Sequence, residues 1–149
     1  MCKLRESLAQ AGPIRYCQHM QTSTNKSALV LFAHGSRDPA WAEPFKAIQT
    51  LICGQSPGLR SELAFLEMMQ PTIADCIATL AAEGFAQVTV VPLFLAAGRH
   101  LREDLPALIK PIQAAHPGLR IVILPPIGEM AEIQEAIAKV ALSAALRNR

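Results

Sequence analysis

The sequence predicts a single-domain α/β protein, a flavodoxin-like three-layer sandwich around a four-stranded parallel sheet. Three observations predict it. Apolar, strand-length runs occur four times, at residues 28–33, 59–66, 88–91 and 121–124, as expected for the buried strands of a parallel sheet. Between and after them, apolar residues recur at helical spacing. Strand and helix alternate strictly, and such alternation forces parallel strands joined by right-handed crossovers. At 149 residues, 51% hydrophobic and 17% charged, the chain has the length and apolar content for one well-filled core.

Residues 1–27 are a polar tract without periodicity, with Lys3, Arg5, Arg15 and Lys26 among Gln, Thr, Ser and Asn. The tract has no apolar stretch of the kind a secretion signal carries and reads as a disordered extension; the folded domain is residues 28–149. After the first strand, Asp38 can cap a helix with Pro39 at its first position, where proline's missing N–H costs nothing. Trp41, Phe45, Ile48 and Ile52 then lie on one helical face. Pro44 falls inside that helix and should kink it or limit its first turn. Gly54 to Gly58 ends it.

The second strand stops at Glu67, and Pro71 starts a second helix with Ile73, Cys76, Ile77 and Leu80 on one face and Gly84 as its stop. Beyond the third strand, Asp104 caps a third helix through Ala107, Leu108, Ile109 and Ile112, interrupted by Pro111 and closed by His116-Pro117-Gly118. The last helix begins near Glu129 and gathers Met130, Ile133, Ile137, Val140 and Ala144 on one side.

Bulk properties exclude several classes of function. A net charge of +2 is too small to mark a nucleic-acid surface, and no apolar run approaches the roughly 18 residues of a membrane span. Cys2, Cys17, Cys53 and Cys76 form no CxxC pair. They read as reduced thiols in the cytoplasm, two of them on helix core faces, rather than as a zinc or iron–sulfur site.

The chemistry gathers by topology. Parallel strands share one carboxyl edge, where open α/β sheets bind ligands. His34 follows the first strand, Glu67 ends the second, and His100 follows the third through a Gly-containing loop. Two imidazoles and a carboxylate suit a divalent transition metal with open coordination positions, and also proton abstraction near neutral pH. Arg37, Arg99 and Arg102, with the free N–H groups of the helix starts, favour a ligand bearing several carboxylates. Each piece also has a plainer reading. His34 could brace a turn, His100 could be an exposed loop residue, Glu67 a solvated edge charge, and Arg37 and Arg102 could pair with Asp38, Glu103 or Asp104. Their joint position on one edge favours a site.

At these residues the sequence resembles a known family. His34-Gly35-Ser36-Arg37-Asp38-Pro39, Phe65-Leu66-Glu67 with Pro71 following, and Pro92-Leu93-Phe94-Leu95 through Gly98, His100, Asp104 and Pro106 resemble the small CbiX-type sirohydrochlorin chelatases, class II tetrapyrrole chelatases. The resemblance implies a chelatase-like sandwich that inserts a divalent metal (Co²⁺, Fe²⁺ or, in some members, Ni²⁺) into sirohydrochlorin without ATP, in cobalamin or sirohaem biosynthesis. It implies His34 and His100 as the metal-binding and proton-accepting pair, with Glu67 assisting. Ser36, Arg37, Arg99 and Arg102 are expected to hold the substrate's carboxylates. The metal is substrate, and no tightly bound cofactor is expected. Larger relatives hold two such units in one chain, so the resemblance implies a cytoplasmic homodimer closing the site between subunits, with no nucleic-acid or membrane partner. A non-catalytic tetrapyrrole or metal carrier is the alternative. A small hydrolase using His34 would lack a nucleophile elbow and leave His100 idle.

Overall fold

The computed structural model describes residues 26–96 and 98–147, and of residues 99–102 the backbone. The expected N-terminal extension therefore lies outside the described residues, apart from its last two. Ser27 already belongs to the first strand.

Four strands, β1 (Ser27–Ala33), β2 (Arg60–Phe65), β3 (Gln87–Pro92) and β4 (Arg120–Ile123), pair in the order β2-β1-β3-β4, every pair parallel. Helices follow them: α1 (Glu43–Gln55), α2 (Ile73–Ala82), α3 (Arg99–Ala115) and α4 (Ala131–Arg147). The chain departs from β1 to one side for β2 and to the other for β3, so strand order reverses between β1 and β3. In an open parallel sheet, the carboxyl end of that gap is a ligand crevice. Among the described residues, no helix is long and apolar enough to cross a membrane.

The sheet separates two apolar layers, because side chains alternate along each strand. On one face Val30, Phe32, Val88 and Val90 meet Ile73, Cys76, Ile77 and Leu80 of α2 and Leu105 and Ile109 of α3. On the other, Leu31, Ala33, Leu63, Phe65 and Val91 meet Trp41, Phe45 and Ile52.

Local chemistry sets the helix ends. Asp38 accepts a hydrogen bond from the Ala40 N–H at 2.9 Å and opens a 3-10 turn, Pro39–Ala42. Pro44 then stands in the first turn of α1, so the proline expected to limit that turn divides the segment into a 3-10 turn and a regular helix. Gly84, at φ +80°, ends α2, its N–H donating to the Ala81 carbonyl and that of Phe85 to the Leu80 carbonyl. This is a Schellman closure, whose left-handed residue favours glycine.

Four expectations are corrected. Pro71 does not start α2; Thr72 is its cap, its hydroxyl accepting from the Asp75 N–H and donating to the Asp75 carboxylate. Asp104 does not cap α3, which begins five residues earlier at Arg99 behind Gly98 and runs through both Pro106 and Pro111. Residues 99–105 contain no helix breaker, and burial of Leu105 with Ile109 one turn on outweighs the local Asp-Leu-Pro start signal. Arg99, His100 and Arg102 are accordingly in a helical first turn and not in a loop.

Cys53 is exposed, whereas Cys76 is buried. Lastly, the apolar stripe of α4 is not buried within the chain. Ile133 in its first turn is half-buried, but Ile137, Val140 and Ala144 on the same stripe are exposed, as are Leu142 and Leu146 on the other side of the helix. After Gln134, whose amide donates to the Gly128 carbonyl at 3.0 Å, α4 stands clear of the sheet. An apolar groove of about 620 Å³ is left beside α1, with Leu29, Leu31, Phe45, Ile52, Val91 and Ile133 in its walls.

Candidate functional site

The hydrogen-bond ladder between β1 and β2 does not stop with the strands. The Leu66 N–H donates to the Ala33 carbonyl at 2.9 Å, and the Glu67 N–H to the His34 carbonyl at 3.0 Å. That extension carries two edge residues side by side. His34 Nδ1 lies 3.5 Å from Glu67 Oε1, with the two side chains 53% and 48% exposed. Among the described residues, the strand end thus presents an imidazole–carboxylate pair that is held by its backbone and open to solvent on its outer side. An exposed pair of this kind contributes under about 1 kcal/mol to stability, so folding alone gives it little reason to exist.

Two backbone features make the approach possible. Gly35 has φ +99°, and a Cβ placed there would overlap the Glu67 carbonyl oxygen. Only glycine both adopts that conformation and leaves that space. On the other side, Met68 takes φ +62° and closes a tight turn in which the Met69 N–H donates to the Glu67 carbonyl at 2.8 Å. An unbranched residue held at positive φ costs of order 1–3 kcal/mol, and such strain concentrates at functional loops. Sequence reasoning does not single out Gly35 or Met68. The His-Gly pair directly after a buried strand is the one signal for the first; nothing local signals the second.

The remaining candidates divide. Ser36 is half-buried, and its hydroxyl accepts from the Asp38 N–H at 3.1 Å, bracing the turn. Arg37 is exposed and, among the described residues, makes no ion pair, so the surface pairing with Asp38 is not made. Arg99, His100 and Arg102 occupy the first turn of α3, which leaves the carboxyl end of β3, the strand beside β1. Their backbone is at the same sheet edge as His34 and Glu67; their side chains lie outside the described residues. Among the described residues, no three ligating groups cluster. His116, at the far end of α3, and Cys76, beneath α2, are apart from the edge.

An open parallel sheet with a half-exposed histidine–carboxylate pair at its carboxyl edge, beside a strand-order reversal, defines a small α/β protein with an accessible polar pair at the edge where open sheets bind ligands. The comparisons are narrower. Residues 28–144 match the CbiX family model, and the chain belongs to the CbiX family. A sirohydrochlorin cobaltochelatase of Saccharolobus islandicus is 31% identical over 124 residues, spanning 74% of this chain and 90% of the relative.

The crystal structure of a Marinobacter aquaeolei VT8 protein, described as a CbiX protein of cobalamin (vitamin B12) biosynthesis, superimposes with TM-score 0.69 at 36% identity, covering 81% of this chain and 98% of that one. The sirohydrochlorin chelatase SirB of Bacillus subtilis subspecies spizizenii, solved with cobalt, gives TM-score 0.67 at 28% identity. Here 76% of this chain covers 49% of SirB, so this protein spans about half of that solved relative.

Proposed function

We propose that this protein inserts a divalent metal ion, cobalt or iron and within the same chemistry nickel, into sirohydrochlorin without ATP. The observation that carries the reading is the His34–Glu67 pair, 3.5 Å apart and half-exposed at the carboxyl edge, in a chain of the CbiX family. Insertion requires a metal ion to shed waters while a ring loses two pyrrole protons. A carboxylate facing Nδ1 favours the tautomer with its proton on that nitrogen, which leaves the Nε2 lone pair of His34 free for a metal or a proton. His100, from the first turn of α3, is the second imidazole of the pair. The metal and the bases are then beside the ring together, which supplies proximity and proton acceptance at once.

The ring's carboxylates are held in this reading by Ser36, Arg37, Arg99 and Arg102 and by the free N–H groups that open α3. Arg37, exposed and without an ion pair among the described residues, is suited to that role, because its guanidinium needs no such partner to be broken. The metal is a passing substrate. The protein works in the cytoplasm with its thiols reduced.

The working form is a homodimer. Its support is the half-length match to SirB and the uncovered apolar surface of α4 and α1. Ile48 and Leu51 on α1, Leu95 before α3, and Ile137, Val140, Leu142 and Leu146 on α4 are 40–70% exposed. A second copy is the occupant proposed for that surface.

The test is anaerobic mixing of purified protein with sirohydrochlorin and Co²⁺ or Fe²⁺, followed by the macrocycle's visible spectrum. Metal-dependent spectral change faster than the uncatalysed reaction, lost in His34→Ala and His100→Ala, is the expected result. A spectral shift on binding with no acceleration would make the protein a carrier.

A further inference from the structure

The loop from β3 to α3 is held from outside the edge, by the turn that leads into α4. Phe94 is fixed through its ring, which meets Phe32 edge-on at 5.8 Å between centroids and 71° between planes. Its carbonyl accepts a hydrogen bond from the Gly128 N–H at 3.0 Å. Gly128 lies buried in a 3-10 turn, Ile127–Glu129, a conformation open to most residues, so backbone freedom does not call for glycine there. Space does. A Cβ at Gly128 would overlap the carbonyl oxygen and Cα of Leu95 and stand 2.6 Å from its carbonyl carbon. All three are backbone atoms, which cannot swing aside as a side chain can. Only Ala96, Ala97 and Gly98 separate Leu95 from Arg99, the first residue of α3, and His100 is the second.

We infer that Gly128 is a positioning residue for His100: its bare backbone clasps Phe94 and Leu95 and thereby sets where α3 begins. Any side chain at 128 moves Leu95 or the turn, and Leu95 stands only four residues before the first residue of α3. Gln134 steadies the clasp from the far side through its 3.0 Å hydrogen bond to the Gly128 carbonyl. The inference rests on the reading of His100 as a metal-handling residue.

The experiment is a double-mutant cycle read by Co²⁺ affinity of the full chain in the absence of macrocycle, with folding followed by circular dichroism. His100→Ala is expected to weaken Co²⁺ binding, and Gly128→Ala to weaken it by a comparable factor, about 10–100-fold, as displacement of a ligand's support does. The variant carrying both changes should then bind no more weakly than His100→Ala alone, because the second change acts through a side chain already gone. Gln134→Ala, which loosens the clasp without overlap, should weaken binding a few-fold and lose that effect in the His100→Ala background.

If Gly128→Ala proves unfolded, the Gln134→Ala arms decide. Full additivity in the cycle, or unchanged Co²⁺ affinity in a folded Gly128→Ala protein, overturns the inference and leaves the chelatase reading intact. Unchanged affinity in His100→Ala overturns the reading of His100 and the inference with it.

Discussion

Replacing Val140 by Asp tests whether a second copy covers α4. Val140 is 68% exposed, and Ile137, one turn earlier on the same stripe, is 47% exposed. From Val140 to Leu146 the helix carries no charge at all, a composition that belongs to a helix covered on more than one side. Burying one such side chain contributes about 1.5–3 kcal/mol. In a symmetric dimer every substitution occurs twice, so Val140→Asp removes roughly 3–6 kcal/mol before any cost of burying the carboxylate, some 10²–10⁴-fold in the dimer's Kd. Sedimentation velocity across a micromolar dilution series should show wild type as a dimer and Val140→Asp as a monomer with its helical content retained. Because Val140 touches neither the His34–Glu67 pair nor the sheet core, loss of the dimer should be separable from misfolding. A wild-type monomer at the highest concentration, or a Val140→Asp dimer as tight as wild type, would refute the covered-face argument.

Three further outcomes are expected. Glu67→Gln keeps the side chain's size but removes its charge beside Nδ1; chelation should slow by about 10²-fold or more, within the range for a lost general-base partner, in stopped-flow insertion assays. Arg37→Ala should raise KM for the macrocycle while changing kcat little, because an exposed carboxylate clamp contributes to binding the ground state and the transition state alike; an unchanged KM would remove Arg37 from the substrate's path.

The third concerns stability against pH. Burial, and secondarily Glu62, push the Cys76 thiol up from 9.0 to about 12, with Arg60 pulling the other way. The folded state keeps the proton that the unfolded chain releases, so this contribution is complete below about pH 9 and declines by about 1.4 kcal/mol per pH unit between there and 12. Urea unfolding at pH 8 and pH 10.5 should show wild type losing more stability than Cys76→Ala over that interval. At pH 8, iodoacetamide should label Cys53 and leave Cys76 untouched.

The sheet, its parallel sense and the buried face of α2 are legible in the sequence because they rest on periodicity, which burial enforces. Ile73, Cys76, Ile77 and Leu80 read as one face and pack as one. The start of α3 is not legible. Asp104 with Pro106 two residues on imitates a helix opening, and only the burial of Leu105 against the sheet, a long-range fact, shows that the helix is already under way. The fate of α4 escapes for the opposite reason. Its apolar stripe is plain in the sequence, but a stripe states that something is covered and not by which chain. At the edge, strand order alone brings His34 and Glu67 to neighbouring strand ends. Their 3.5 Å approach depends on Gly35 and the positive φ of Met68, backbone matters that no residue pattern displays.

The manner in which the edge is held bears on what it can do. A resident metal centre wants several ligands converging in a fixed, buried cage, whereas a metal that must be handed on wants few ligands, open positions and a scaffold that does not move when it leaves. His34 and Glu67 are half-exposed, yet the backbone beneath them is pinned three ways: by the Glu67 N–H to the His34 carbonyl, by the Met69 N–H to the Glu67 carbonyl, and by the close seat of Gly35. On the proposed reading, rigid main chain under accessible side chains would let an ion exchange its waters for imidazole, and imidazole for ring nitrogen, without repacking the core. The third edge loop follows the same rule, with Gly128 supplying from the α4 side the contact that Gly35 supplies within the β1–β2 edge. Two glycines at backbone contact, one in the β1–β2 edge and one against the connection that leads to α3, fit the proposed reading of a site whose metal comes and goes.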